Sequence, residues 1–170
     1  MNYKVLKSRK QIDKRVKELA CSIDSFYKES SPLMICILKG SILFFSDLIR
    51  NLNINFDIDF IGVKSYVNNK SIGTVEMYCQ GTANFKDRDI VIVEDIIDSG
   101  KTINTLISYF SKFSPNSIKV VTLLNKPSNH KLNEQIDWIG FNIKDRFVFG
   151  YGLDFNQKYR GLKDLVVVNE

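Results

Sequence analysis

The stretch from Val91 to Thr102 reads Val-Ile-Val-Glu-Asp-Ile-Ile-Asp-Ser-Gly-Lys-Thr. The residues from Ile90 to Val93 form a continuous β-branched run, which is typical of a strand buried on both faces. Beyond the stretch, from Ile103 to Phe113, apolar residues recur at helical spacing. This order predicts a strand, then an acidic loop, then the start of a helix.

Three carboxylates, Glu94, Asp95 and Asp98, follow the apolar run where the strand is predicted to end. In an open α/β sheet, ligands bind at the carboxyl ends of the strands, and free N–H groups at a helix N-terminus receive an anion such as phosphate. The residues suited to such a phosphate are Ser99, Gly100, Lys101 and Thr102. Carboxylates accept hydrogen bonds from sugar hydroxyls, hold Mg²⁺ or take a proton. The stretch therefore predicts a site for a sugar phosphate with a metal.

Gly100-Lys101-Thr102 also matches the end of the P-loop pattern. That pattern requires a glycine five residues before its second glycine, where this chain has Asp95. A carboxylate at that position would face the phosphates. The P-loop interpretation is therefore rejected.

The form Glu-Asp-Ile-Ile-Asp-Ser-Gly-Lys-Thr resembles the phosphoribosyl pyrophosphate signature of type I phosphoribosyltransferases, in particular their hypoxanthine-guanine branch. The resemblance implies an α/β fold with a mainly parallel twisted sheet flanked by helices, and a small hood built from the N- and C-terminal segments. It implies that Glu94 and Asp95 face the ribose hydroxyls and Mg²⁺. Asp98 to Thr102 would seat the 5′-phosphate, and Asp98 would also act as the general base.

Composition supports one domain spanning residues 1–170, with 44% hydrophobic and 25% charged residues. The net charge of +5 suits an enzyme for a polyphosphorylated substrate. The N-terminus lacks the apolar core of a secretory signal, and no apolar run approaches the ~18 residues of a membrane span. We expect a cytoplasmic protein.

Leu33 to Leu38 is a second fully apolar run, followed by Lys39-Gly40-Ser41 and a helical pattern from Ile42 to about Asn51. Taken alone, this is an ordinary strand-to-helix turn. Beside the acidic stretch, Leu38, Lys39 and Gly40 resemble the family's pyrophosphate loop, in which the peptide before the lysine is often cis. Many relatives have a second glycine where this chain has Ser41.

Ile54 to Val63 and about Thr74 to Cys79 predict two strands joined by a long polar connection. Such a segment is commonly a solvated loop. The pair Ser65 and Tyr66 resembles the start of the family's closing loop, which implies a lid that shields a cationic sugar from water.

Ser117 to Leu124 predicts another buried strand, which ends at Asn125-Lys126-Pro127. A lysine at a strand end is usually solvated. In the purine branch, the matching lysine donates a hydrogen bond to the exocyclic oxygen of a 6-oxopurine, so the resemblance assigns Lys126 to base recognition. His130, the only histidine, lies in a polar stretch and is predicted to be a surface residue.

The C-terminal part contains Phe147 and Val148, an apolar pair that also fits an ordinary core strand. The resemblance implies that Phe147 stacks on the purine and that the backbone of Val148 pairs with the ring edge. It further assigns Asp154 to the purine end of the site, as a carboxylate that holds Mg²⁺, and Arg160 to the pyrophosphate. The metal set it implies is Glu94, Asp95 and Asp154.

The sequence therefore predicts transfer of a 5-phosphoribosyl group from phosphoribosyl pyrophosphate to hypoxanthine, with guanine as a second acceptor, giving IMP or GMP and pyrophosphate. Alternatives are a relative that prefers xanthine and a non-catalytic regulator of the same fold that binds nucleotide or RNA. The resemblance favours a homodimer or homotetramer. We expect no membrane partner and no nucleic acid, because no basic cluster with interleaved aromatics occurs.

Overall fold

The computed structural model describes residues 2–65, 75–130, 132 and 135–168. Its helices are α1 (Arg9–Phe26), α2 (Ile42–Ile49) and α3 (Lys101–Ser111). Its strands are β1 (Tyr3–Lys7), β2 (Leu33–Leu38), β3 (Asp57–Ser65), β4 (Val75–Cys79), β5 (Asp89–Ile97), β6 (Ser117–Asn125), β7 (Trp138–Asn142), β8 (Val148–Phe149) and β9 (Leu165–Val168).

The larger sheet contains six strands in the order β4-β3-β2-β5-β6-β7. Every pair is parallel except β3 with β4. The chain leaves β2 towards β3 but leaves β5 towards β6, so the strand order reverses between β2 and β5. A reversal of this kind opens a crevice at the carboxyl ends of the two strands, which is where open α/β sheets bind ligands.

Helices cover both faces of this sheet, and alternate residues of each central strand point to opposite faces. On one face, Met34 and Cys36 pack in a cluster with α1 and α2. On the other face, Leu33 and Ile35 pack in a second cluster with α3. The uninterrupted apolar run of β2 follows from this double coverage. The predicted α/β fold class is confirmed.

The smaller sheet is antiparallel, with the order β1-β9-β8. Tyr3 pairs with Val168, so the two ends of the chain meet in this hood, as the resemblance implied. The capping box of Ser8 and Gln11 starts α1 directly after β1. β1 has no recognisable strand pattern in the sequence, because three of its five residues are exposed and its pairing with β9 defines it.

Asp47 on α2 links the hood to the main sheet. One of its carboxylate oxygens accepts a hydrogen bond from the buried Tyr151 hydroxyl at 2.7 Å and pairs with the Arg9 guanidinium at 2.7 Å. Burial raises the pKa of Tyr151, and the Asp47 carboxylate raises it further, so the hydroxyl stays protonated and donates. Arg9 also pairs with Asp13 at 2.8 Å.

Asp47→Ala is expected to lower the free energy of unfolding by about 1–3 kcal/mol, because it leaves the buried Tyr151 hydroxyl without an acceptor. Asp13→Ala removes an exposed ion pair from the same Arg9 and should cost no more than about 1 kcal/mol. Urea unfolding of both variants measures the difference. Equal losses would show that the Tyr151 hydrogen bond contributes nothing beyond a surface ion pair.

β5 is longer than the sequence predicted. The pairing with β6 continues through Glu94 with Thr122 to Ile97 with Asn125, so Glu94 and Asp95 belong to the strand and not to a loop. β3 in turn begins at Asp57, three residues later than predicted. None of the described helices is long and apolar enough to cross a membrane.

Candidate active site

A cavity of about 390 Å³ lies in the crevice between the carboxyl ends of β2 and β5. Its lining contains twelve of the residues that the sequence assigned to the site: Leu38, Lys39, Gly40, Glu94, Asp95, Asp98, Thr102, Lys126, Phe147, Val148, Asp154 and Arg160. Apolar side chains complete it, namely Ile37, Val63, Ile96 and Leu153. Residues from four separate segments of the chain therefore meet in one cavity.

Glu94 and Asp95 are the most buried acids of this cavity, each 8% exposed. Burial raises the pKa of Glu94 well above its usual range, and the neighbouring Asp95 charge raises it further. Burial also raises the pKa of Asp95, although hydrogen bonds from Glu94 and the Ile96 backbone and the charge of Arg160 oppose this. Within the described part of the chain, the Glu94 Oε2 atom is buried without a hydrogen-bond partner. A ligand that brings hydroxyl protons or a cation would satisfy it.

The loop between β5 and α3 forms the second part of the site. Gly100 precedes α3 with a φ of 73°, a left-handed conformation that favours glycine, and no described side chain caps the helix there. The first N–H groups of α3 are therefore left for an anion. Thr102 lines the cavity. Ser99 and Lys101 are its neighbours in sequence, and both are exposed outside the cavity lining.

The loop between β2 and α2 packs directly on the acids. The Leu38–Lys39 peptide bond is cis, as is often found in the matching loop of the resembling family. A Cβ atom placed on Gly40 would lie 1.7 Å from Asp95 Oδ2. A side chain at residue 40 would therefore displace either the loop or the Asp95 carboxylate.

Ser41 occupies the position where many relatives have glycine. It is completely buried, and its hydroxyl donates to the Ile37 carbonyl and lies 3.3 Å from Cys36 Sγ. The hydroxyl is thus satisfied inside the turn. With Ser41 in place of glycine, Gly40 still lines the cavity.

Arg160 lines the cavity and is held by two protein contacts. Its guanidinium donates to the Gly152 carbonyl at 2.8 Å and pairs with Asp154 at 2.7 Å. The other Asp154 oxygen accepts from the Gln157 backbone N–H at 2.8 Å. Both oxygens of Asp154 are therefore already engaged by protein donors.

Lys126 also lines the cavity and is only 5% exposed. Its ammonium lies 2.7 Å from Asp98 Oδ2 and 3.1 Å from Asp145 Oδ1. Burial lowers the pKa of Lys126, but the hydrogen bonds and charges of the two aspartates outweigh it and raise the pKa overall. Phe147 is 56% exposed and contacts Phe155 edge to face, with ring centroids 5.3 Å apart. A largely exposed aromatic ring and a buried ammonium in the lining of one cavity suit a flat polar ligand.

The family model described as "Phosphoribosyl transferase domain" matches residues 2–156. The chain belongs to the phosphoribosyltransferase family. The family recognised in the signature stretch is thereby confirmed, and so is the predicted class of enzyme, a transferase.

Individual relatives of this phosphoribosyltransferase agree with the predicted branch. The hypoxanthine-guanine phosphoribosyltransferase of Bacillus subtilis is 44% identical over 94% of this chain and 89% of its own length. The hypoxanthine-guanine-xanthine phosphoribosyltransferase of Tritrichomonas foetus is 36% identical over 98% of this chain and 92% of its own. A crystal structure of a hypoxanthine-guanine phosphoribosyltransferase from Bacillus anthracis superimposes with a TM-score of 0.92, at 37% identity and 98% coverage of both chains.

The donor set of this phosphoribosyltransferase fits Mg²⁺. Mg²⁺ prefers hard oxygen ligands and is usually held by one or two carboxylates together with waters and substrate phosphates. Glu94 offers an unpartnered buried oxygen, and Asp95 lines the cavity beside it. Asp154 could join them only by loosening its pair with Arg160. Among the described residues, no group of three His, Cys, Asp or Glu side chains could hold a metal by itself.

Two further sequence predictions concern the closing loop and His130. Ser65 ends β3, where it pairs with Val75, and Tyr66 lies outside the described residues, so the closing loop stays a prediction. His130 is partly buried, with Nε2 2.7 Å from Asn125 Oδ1, and is not the solvated surface residue that was expected. A larger cavity of about 460 Å³ at the amino ends of the strands, lined by Asn116, Lys119 and other residues, contains none of the site carboxylates.

Sequence reasoning gave no role to Asp145 and did not consider Asn129. Asp145 pairs with Lys126, and the Asn129 amide donates to Asp98 Oδ1 at 2.8 Å. The signal available in the sequence was position alone, since Asn129 follows Lys126 by three residues beyond a strand end at the ligand-binding edge. The Asn129 N–H donates back to the Lys126 carbonyl at 3.0 Å, which makes that spacing a turn.

Proposed function

We propose that this protein transfers the 5-phosphoribosyl group of phosphoribosyl pyrophosphate to a 6-oxopurine, hypoxanthine first and guanine with it, and releases pyrophosphate. The observation that carries the proposal is the 2.7 Å contact of the Lys126 ammonium with Asp98, beside the exposed ring of Phe147. A donor for an exocyclic oxygen, an acceptor for a ring proton and a stacking surface are thus available to one planar base.

The donor substrate lies along the rest of the cavity. Its 5′-phosphate binds the N-terminus of α3 at residues 98–102, which is supported by the absence of a side-chain cap there among the described residues and by Thr102 in the cavity lining. The ribose hydroxyls donate to Glu94 and Asp95, which satisfies the unpartnered Glu94 oxygen. The pyrophosphate binds at Lys39, the Gly40 backbone and Arg160.

Reaction breaks the bond between the ribose carbon and pyrophosphate and forms a bond from that carbon to a ring nitrogen of the purine. The proton on the other ring nitrogen moves to Asp98, the general base. Carboxylates beside the sugar stabilise its developing positive charge. When bound, Mg²⁺ on Glu94 and Asp95, with Asp154 as a possible third ligand, supplies charge neutralisation for the departing pyrophosphate.

Pyrophosphate release tests the proposal directly. The protein is mixed with Mg²⁺, phosphoribosyl pyrophosphate and hypoxanthine, guanine, xanthine or adenine in separate reactions. We expect turnover with hypoxanthine and guanine and little with adenine, whose amino group is a poor partner for the Lys126 ammonium. The xanthine activity in the name of the Tritrichomonas foetus relative makes xanthine the second candidate acceptor. Binding of nucleotide or RNA without any pyrophosphate release would instead favour a regulator.

Lys126→Ala is expected to raise the KM for hypoxanthine roughly 10- to 100-fold, which corresponds to the ~1.5–3 kcal/mol of a hydrogen bond from a charged group. The preference for hypoxanthine over adenine should fall by a similar factor. Lys119→Ala is the matched control, because Lys119 lies on the same strand and pairs with Asp137 at 2.8 Å, outside the cavity. Equal use of adenine and hypoxanthine by the unmodified protein would refute the role of Lys126.

Other features stay predictions. The resemblance favours a homodimer or homotetramer, which sedimentation of the purified protein would measure. The cytoplasmic location and the closing loop at Ser65 and Tyr66 are likewise expectations from the sequence. The substrates themselves are small molecules.

A further inference from the structure

Two donors hold the Asp98 carboxylate, one on each oxygen. The Lys126 ammonium donates to Oδ2 at 2.7 Å, and the Asn129 side-chain amide donates to Oδ1 at 2.8 Å. Lys126 also donates to Asp145, at 3.1 Å. Asp98, Lys126 and Asn129 are therefore linked by hydrogen bonds, and each oxygen of the Asp98 carboxylate has its own donor.

The hydrogen bonds of Asn129 fix the orientation of its side chain. An ionised carboxylate only accepts hydrogen bonds, so the amide must turn an N–H group towards Asp98. The amide oxygen then faces away and accepts from the Ser128 hydroxyl at 3.1 Å. The backbone N–H of Asn129, bonded to the Lys126 carbonyl, fixes the turn that carries the side chain. The side-chain nitrogen, the side-chain oxygen and the backbone N–H of Asn129 thus have partners consistent with one orientation.

We propose that Asn129 is a positioning residue for Asp98, an inference that rests on the proposed function. When a 6-oxopurine binds, Lys126 must direct an N–H group of its ammonium to the exocyclic oxygen of the purine. This weakens the hydrogen bond between the ammonium and Asp98. Asn129 donates to the other Asp98 oxygen, so binding of the purine leaves this hydrogen bond in place. It therefore keeps one Asp98 oxygen fixed while the other faces the ring proton.

Asn129→Ala is expected to lower kcat about tenfold, within the ~100-fold that a misplacement of ~1 Å can cost. The KM for phosphoribosyl pyrophosphate and the thermal unfolding midpoint should stay unchanged. Asn116→Ala is the matched control, since its exposed amide donates to the Asp87 carbonyl at 2.9 Å, at the opposite edge of the sheet. Asn129→Asp keeps the size, removes the donors and adds a negative charge, so it should lose more activity than Asn129→Ala.

A double-mutant cycle separates positioning from a general structural role. If Asn129 acts through Asp98, adding Asn129→Ala to Asp98→Asn changes kcat less than twofold, because the base has already been removed. If the kcat losses of the two single variants multiply in the double variant, the proposal is overturned. A purine analogue with a more acidic ring N–H needs less help from a base, so it should shrink the Asn129→Ala defect, and an undiminished defect would also count against the role. Wild-type protein without pyrophosphate release would refute the proposed function itself, independently of these comparisons.

Discussion

Asp98→Asn is expected to lower kcat by about 10² to 10⁴, the usual contribution of general acid–base catalysis. An asparagine has nearly the same shape, and its side-chain oxygen can still accept from Lys126 or Asn129, so the loop at residues 98–102 keeps its fold. It cannot take the purine proton. The KM for phosphoribosyl pyrophosphate should therefore change only a few-fold, because the proposed 5′-phosphate contacts come from the backbone of the loop and from Thr102.

The control for this variant is Asp145→Asn. Asp145 pairs with the same Lys126 ammonium at 3.1 Å, and its side chain is 66% exposed against 51% for Asp98. If the Asp98 defect came from the lost ion pair, the two variants would behave alike. We expect Asp145→Asn to lower kcat less than tenfold. Steady-state rates of pyrophosphate release measure both, and near-normal turnover in Asp98→Asn would remove Asp98 from the role of base.

Local patterns in the sequence predicted the central elements because each pattern suits one kind of secondary structure in one environment. β2 matches its predicted bounds, Leu33 to Leu38, since six apolar residues in a row suit a strand covered on both faces. β9 likewise coincides with a short apolar run, Leu165 to Val168. The carboxyl ends of β2 and β5 then had to share one edge, so the candidate ligand residues that follow them were brought together.

Pairings between distant segments could not be predicted in the same way. Glu94 and Asp95 look like loop residues, yet the ladder from β6 carries β5 through both of them to Ile97. The partners of Asp98 lie 28 and 31 residues away on a turn beyond β6, and polarity alone gives no sign of such a contact. β1 depends on β9 at the other end of the chain. These features arise from tertiary contacts that override local preference.

The contact between Gly40 and Asp95 also joins distant segments, and it predicts the second large effect. Gly40→Ala is expected to lower kcat/KM for phosphoribosyl pyrophosphate by at least ~10², because the added methyl group would lie 1.7 Å from Asp95 Oδ2. Either the pyrophosphate loop or the buried carboxylate must move. The loop has little room to retreat, since a Cβ on Gly152 would already lie 2.1 Å from the Gly40 carbonyl oxygen.

Gly161→Ala is the matched control for Gly40→Ala. It adds the same methyl group next to Arg160, but apart from its two chain neighbours no heavy atom of the described residues lies within 4 Å of its Cβ position. We expect this variant to keep its activity within about twofold, because the added atom meets only open space. Calorimetric titration with Mg²⁺ and phosphoribosyl pyrophosphate compares donor binding in the two variants.

The outcome for Gly40→Ala depends on which group yields. If Asp95 is displaced, both the ribose contact and the metal ligand are lost, and donor binding and turnover should fall together. If the loop yields, the Gly40 backbone leaves the pyrophosphate while Asp95 keeps its place, so binding of pyrophosphate alone should weaken more than binding of the nucleoside monophosphate product. Normal binding of both ligands with normal turnover would show that the loop and β5 separate easily, and that glycine at residue 40 is not required by this contact.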